Sequence, residues 1–345
     1  MNTVDRRSFG RMAALGAGIA ALTACTSTST STSTPTTATP AAPAHDLGPV
    51  KHVDAGALNV GYVDAGPADG QPVILLHGWP YDIHSYADVS AALVDNGFRV
   101  IIPHLRGFGS THFRSADAVR NGQQAALAHD VIDLMDALRI PSAILGGYDW
   151  GGRTANVVAA LWPQRCSGLV AVSGYLIVDL VANREPLPPE AEHGWWYQYY
   201  FATARGEMGY RRNTHDFNRL IWQLASPDWH FADETYELSA ASFDNPDHVD
   251  IVVHNYRWRQ SLAPGEARYD DDERRLAAKP AITVPTITIA SDFDGAAKDG
   301  AAYRDRYTGW YQHRLLDGIG HNVPQEAPHD FASAIADVHQ QRGTR

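Results

Sequence analysis

The chain has 345 residues, 44% of them hydrophobic and 19% charged, with a formal net charge of -11. That length allows one large decorated domain or two ordinary ones, with ample apolar surface for a core. The acidic balance excludes a basic footprint tracking nucleic acid. Two cysteines, at 25 and 166, and no His-Glu-x-x-His among the 16 histidines leave no zinc site of the usual spacings.

In chain order, residues 1–24 read as an export signal. Arg6 and Arg7 precede an uncharged stretch, Met12 to Ala24, which is too short to span a bilayer as a helix. Arg6-Arg7-Ser8-Phe9 resembles a twin-arginine signal, and Leu22-Thr23-Ala24-Cys25 resembles a bacterial lipoprotein box. On that reading Cys25 becomes the lipid-bearing first residue of the mature chain, and Cys166 is left as a lone thiol. Loss of the segment removes a net +2 and leaves a body of charge -13. The alternative is a secreted or periplasmic protein cut elsewhere. Between Thr26 and Pro40, 12 of 15 residues are Ser or Thr, so residues 25–45 read as a tether. The expected location is the cell envelope, with membrane contact through the lipid alone.

The folded body then shows short apolar runs bounded by Gly, Pro, Asp or Asn: Val60 to Val63, Pro72 to Leu76, Arg99 to Ile102, Ala143 to Leu145 and Gly168 to Val172. The last four are nearly continuous, as buried parallel strands are. Leu127, Val131, Leu134 and Leu138 repeat at helical spacing between two of them. This is the alternation of a doubly wound α/β sheet. From Leu176 to Asp272 no clear strand run occurs, yet the stretch holds five of the nine Trp and seven of the 15 Tyr. It reads as a helical insertion, residues 176–275, dividing a core of residues 46–175 and 276–345. Strand signals resume at Val284 to Ile289 and near Arg314 to Leu316, and a last helix follows Pro328.

Gly147-Tyr148-Asp149-Trp150-Gly151-Gly152 lies between an apolar strand and a helix-like stretch, the context a nucleophile elbow requires. A carboxylate, ionised at neutral pH, stands at its tip, suited to attack on a saturated carbon without a base. Read alone, the motif also fits an ordinary Gly-rich turn. His77-Gly78-Trp79-Pro80 follows another strand, so the amides of Trp79 and Trp150 can converge on one oxygen. Asp294 lies past the next strand and His321 past the last, in the order nucleophile, acid, histidine; Asp292 is the alternative acid.

On His-Gly-Trp-Pro, Gly-Tyr-Asp-Trp-Gly-Gly and Gly-Ile-Gly-His, the stretch Val60 to Val338 resembles the α/β-hydrolase superfamily, in the branch of epoxide hydrolases and hydrolytic dehalogenases with an aspartate nucleophile. One departure is His104, where an Asp is usual. The resemblance implies a cap over the site and two cap tyrosines that hold an epoxide oxygen. Trp196-Tyr197-Gln198-Tyr199-Tyr200-Phe201 is similar to the segment carrying the first, at Tyr197 with Tyr199 as fallback, and Asn255-Tyr256-Arg257 to that carrying the second. A haloalkane dehalogenase would instead cradle halide with indole or amide donors such as Trp150. Arg153 matches one of two arginines that hold the carboxylate in a haloacetate dehalogenase, but Trp150 replaces the other and Gln198 replaces a halide-binding histidine. The resemblance therefore implies an epoxide hydrolase acting without cofactor or metal on a small apolar or aromatic epoxide. A haloalkane dehalogenase and a non-catalytic surface binding lipoprotein are the alternatives.

Overall fold

The computed structural model describes residues 46–341. The export signal, Cys25 and the whole of the tether lie outside the described residues.

Nine strands form one sheet: β1 (Lys51–Ala55), β2 (Leu58–Ala65), β3 (Gln71–Leu76), β4 (Phe98–Pro103), β5 (His112–Phe113), β6 (Ala143–Gly147), β7 (Cys166–Val172), β8 (Thr286–Ala290) and β9 (Tyr311–Leu315). Their order is β1-β2-β4-β3-β6-β7-β8-β9, with β5 paired to β2. β1, β2 and β4 pair antiparallel, whereas every pairing from β4 through β9 is parallel. Parallel strands are covered on both faces, which is why β6 and β8 are buried along their full length. Helices α1 (Ala87–Asp95), α2 (Gln124–Ala137) and α3 (Asp149–Leu161) precede β4, β6 and β7, and α11 (Val323–Glu326) and α12 (Pro328–Gln340) close the chain. α1 packs on α12 and α2 on α3, two pairs that cover the sheet.

Between β7 and β8 the chain leaves the sheet for α4 (Pro189–Gly194), α5 (Tyr197–Ala202), α6 (Ala204–Arg212), α7 (Thr214–Ala225), α8 (Asp233–Ala240), α9 (His248–Arg259) and α10 (Asp270–Ala277). An aromatic cluster joins this layer to the sheet: the Trp79 ring lies 5.2 Å from Tyr197, 5.7 Å from Phe201 and 5.2 Å from Tyr256. Such edge and tilted contacts add to the burial of large rings.

Two strand positions differ from the sequence reading. β8 begins at Thr286, not Val284, because Pro285 has no N–H for the ladder. β9 covers Tyr311–Leu315, earlier than the Arg314 to Leu316 signal, because Gln312, His313 and Arg314 leave this partly exposed edge strand without an apolar run.

The topology positions the site. β3 lies between β4 and β6, so the chain leaves it in opposite directions, and the carboxyl ends of β3 and β6 meet with Leu76 opposite Gly147. That reversal is where open α/β sheets bind ligands.

Candidate active site

The turn from β6 into α3 is tight for a steric reason. A methyl group on Gly147 would overlap the backbone of Gly151, and one on Gly151 would overlap the Leu76 carbonyl. Tyr148 is extended, and Asp149 enters the helix in the left-handed region at φ +49°. A non-glycine residue held there is strained, a feature concentrated at functional sites. The strain lifts the Asp149 side chain into the crevice above β3 and β6.

There Asp149 Oδ1 accepts the Trp79 N–H at 2.8 Å, while Oδ2 lies 3.7 Å from His321 Nε2. Gly78 carries no side chain because a methyl would sit 2.5 Å from the Asp149 Cβ. Burial pushes the Asp149 carboxyl pKa up, but the neighbouring His321 ring, the Arg153 charge and the Trp79 amide together hold it below the ordinary value. The group is therefore an anion at neutral pH, with one oxygen on an amide and the other facing the cavity. The Trp79 loop is itself pinned by His77, whose Nε2 accepts the Leu105 N–H at 3.1 Å; burial lowers its pKa to about 4, so it is neutral.

The His321 ring stacks on Tyr81 at 5.4 Å and meets Phe293 edge-on at 4.4 Å. Its Nδ1 is buried without a hydrogen-bond partner. Asp294 does not reach it in this structure: its Oδ2 accepts the Ser291 N–H at 2.9 Å in a capping box on the turn Asp292–Ala297. Asp292 points outward, to Lys298 and the Gly318 N–H. The His321 backbone N–H donates to Ser226 Oγ at 2.9 Å, at the end of cap helix α7, and Ser226 donates to Glu326 at 2.6 Å. Neither Ser226 nor Glu326 was singled out from sequence, since both act through contacts between distant segments.

The two cap tyrosines converge. Tyr197 opens α5 and Tyr256 lies in α9, with ring centroids 5.4 Å apart, and Tyr256 is 1% exposed. Burial pushes the Tyr197 phenol up to about 12 and Tyr256 well above its ordinary value, so both remain protonated donors. Tyr199, the fallback, is 50% exposed and bonds Glu192 on the surface. Trp79, Asp149, Trp196, Tyr197, Phe293 and His321 line a cavity of about 50 Å³.

Both indoles near Asp149 have partners. Trp79 Nε1 donates to Tyr210 Oη at 2.9 Å, and Trp150 Nε1 is 3.4 Å from Tyr256 Oη. His104 is buried and its pKa is lowered to about 4 by burial, so it packs as a neutral ring. Cys166 lies buried in β7, its thiol pushed up to about 12 by burial, and is inert. Among the described residues no three His, Cys, Asp or Glu side chains gather as a metal-ligand set.

The reversal point, the aspartate elbow and the histidine loop together define a hydrolase of the α/β type. A family model described as the alpha/beta hydrolase fold matches residues 71–321, and the chain belongs to that family. Its relatives are named for two chemistries. It is 25% identical to epoxide hydrolase A of Mycobacterium tuberculosis over 314 residues, covering 82% of this chain and 94% of that one. It is 29% identical to a haloalkane dehalogenase of Mycobacterium marinum over 218 residues, covering 61% of this chain and 70% of that one. The crystal structure of a candidate epoxide hydrolase from Klebsiella pneumoniae superposes with a TM-score of 0.83 at 57% identity, covering 84% of this chain and 97% of that one. The protein is thus an epoxide hydrolase-like enzyme of the α/β-hydrolase fold.

Proposed function

We propose that this enzyme opens small apolar or aromatic epoxides to vicinal diols through a covalent ester on Asp149. The carboxylate oxygen facing the cavity attacks a ring carbon, the carbon–oxygen bond breaks, and the Tyr197 and Tyr256 hydroxyls donate to the departing oxygen. The ester carbonyl keeps the Trp79 amide. His321 then takes a proton from water, which attacks that carbonyl; the Trp79 and Trp150 amides stabilise the oxyanion, and on collapse His321 returns the proton to the departing diol oxygen while the proton left on the Asp149 carboxyl restores the tyrosine hydroxyl. Asp294 is the acid assigned to His321: its turn lays Phe293 on the imidazole, whose Nδ1 is the buried atom in need of an acceptor. No cofactor enters these steps.

The observation that carries this reading over halide chemistry is the division of donors. The Trp79 indole N–H is engaged by Tyr210 and that of Trp150 lies 3.4 Å from the Tyr256 hydroxyl, while both phenols feel the Asp149 charge and remain protonated beside it. Intact-protein mass spectrometry of His321→Gln with aryl epoxides and neutral alkyl halides tests it. An adduct on Asp149 with the mass of the whole epoxide is the expected result. An adduct lacking halogen would assign a dehalogenase, and no adduct on folded protein would favour a binding role.

We further propose that the chain is exported by the twin-arginine route and anchored by lipid on Cys25. Fatty-acid labelling of the full chain should disappear in Cys25→Ser; persistence of label would reject the anchor.

A further inference from the structure

A second cleft, of about 370 Å³, opens beside the first turns of α3 and shares no lining residue with the catalytic cavity. Its apolar wall is Leu176, Ile177 and Val178, the segment that leaves β7. Around that wall stand Arg153 from α3, Arg259 from the end of α9, Lys279 after α10, and Arg306 before β9. The single carboxylate in the lining, Asp179, pairs with Lys279 at 2.8 Å. None of the three arginines forms an ion pair among the described residues.

These guanidinium groups are short of acceptors. Arg153 is 7% exposed, and its Nε donates to the Leu176 carbonyl at 3.1 Å. Arg259 lies over the Tyr256 ring at 5.4 Å, with its Nε buried and without a hydrogen-bond partner. Arg306 donates one N–H to the Lys279 carbonyl. Burial and the neighbouring Arg259 charge pull the Arg153 pKa down to about 10, although the Asp149 charge on the far side opposes the shift. Buried charges are normally paired, and a guanidinium fork fits carboxylate and phosphate oxygens. In a chain of net charge -11, such a concentration of unpaired cations around an open cleft is selective for an anion.

We propose that this cleft is a binding site for a small organic anion, its carboxylate or phosphate head held by Arg153, Arg259 and Arg306 and its apolar body lying on Leu176, Ile177 and Val178. The cleft shares no lining residue with the epoxide cavity but adjoins it, with Arg153 acting on Asp149 and Arg259 over Tyr256, and its test reads binding without turnover. Asn183 lines the cleft and is exposed, which makes it the place to introduce a competing carboxylate.

Isothermal titration of the folded protein with phenyl phosphate, benzoate, inorganic phosphate and neutral benzamide reads the site directly. Saturable binding of phenyl phosphate or benzoate, weakened by salt, is expected, with inorganic phosphate weaker and benzamide silent. Arg259→Gln/Arg306→Gln should weaken binding at least about tenfold, the loss of one charge-assisted hydrogen bond or more. Asn183→Asp, which leaves the arginines in place, should weaken it in the same direction. No saturable binding of either organic anion to the wild type, or wild-type binding by both folded variants, would overturn the proposal. Equal affinity for inorganic and phenyl phosphate would overturn the apolar part of it.

Discussion

Glu326 fixes His321 by its backbone and leaves the ring untouched: the carboxylate accepts the Gly320 N–H at 2.7 Å and the Asn322 N–H at 2.9 Å, the amides on either side of the histidine. A methyl at Gly320 would collide with Ser226, so the loop also presses directly on the cap. Glu326→Ala frees two amides and the Ser226 hydroxyl at once. The expected cost is about 1–3 kcal/mol of stability, with ester hydrolysis slowed more than ester formation. Rapid-quench kinetics separates the two steps; equal slowing of both would show that Glu326 supports the fold alone. Glu326→Gln, which keeps one acceptor oxygen, should recover part of the loss.

The elbow tolerates no side chain on its flanking glycines. Gly151→Ala drives a methyl into the Leu76 carbonyl of the neighbouring strand, and backbone cannot step aside as a flexible side chain can. Destabilisation by more than about 3 kcal/mol, seen as insoluble protein or a collapsed Tm, is expected. Gly194→Ala, with nothing within 4 Å of the new methyl, should leave Tm unchanged or slightly raised. Equal Tm for the two variants would contradict the packing at the turn.

The cap is held to the core by a pH-sensitive junction. Buried Asp82 accepts the hydroxyls of Ser239 and Ser242, each at 2.7 Å from the cap, and meets His84 Nδ1 at 2.8 Å. Burial alone would raise the Asp82 pKa, but His84, His104 and Ser242 bring it well below the ordinary value. Burial would lower His84, but Asp82 raises it overall. A depressed carboxylate contributes stability above its unfolded pKa and loses it as pH falls; a raised histidine contributes below its unfolded pKa and loses it as pH rises through the folded value. Both contributions are complete between about pH 4 and 6.5. Buried His77 and His104, whose pKa is lowered to about 4, act the other way and lose stability as pH falls below 6.5, so the junction is read as the difference in Tm between wild type and Asp82→Asn, which should be widest between about pH 4 and 6.5 and narrow on either side.

Loss of either cap hydroxyl should act on ring opening. Tyr197→Phe and Tyr256→Phe are each expected to slow ester formation by about a hundredfold, the lower end of general-acid effects, with hydrolysis of preformed ester nearly unchanged. Trp150→Phe removes only a long contact of 3.4 Å to Tyr256 and should cost less than about tenfold. A larger loss for Trp150→Phe than for either tyrosine would favour halide chemistry.

Much of the core was legible because buried parallel strands must be apolar without interruption, as β3, β6 and β7 are. β1 was missed since Lys51-His52-Val53-Asp54-Ala55 is a largely exposed edge with one fully buried residue, and β5 is only two residues long. Helix α1 carries too many small residues for a clear stripe. Asp149 and His321 could be found from local motifs. The resemblance placed Tyr197 first and Tyr199 as fallback, and the helix turns Tyr199 to the surface. Glu326 and the Arg153, Arg259 and Arg306 cleft had no local signal, because they exist only where segments far apart in sequence meet.

Ser226 gives the cap a second duty. The layer that carries Tyr197 and Tyr256 also grips the His321 loop, through the His321 amide and Glu326. The register of the histidine loop is therefore set partly from outside the core, by a residue at the end of a cap helix. An altered cap selected for a wider substrate would change the second half of the reaction along with the first.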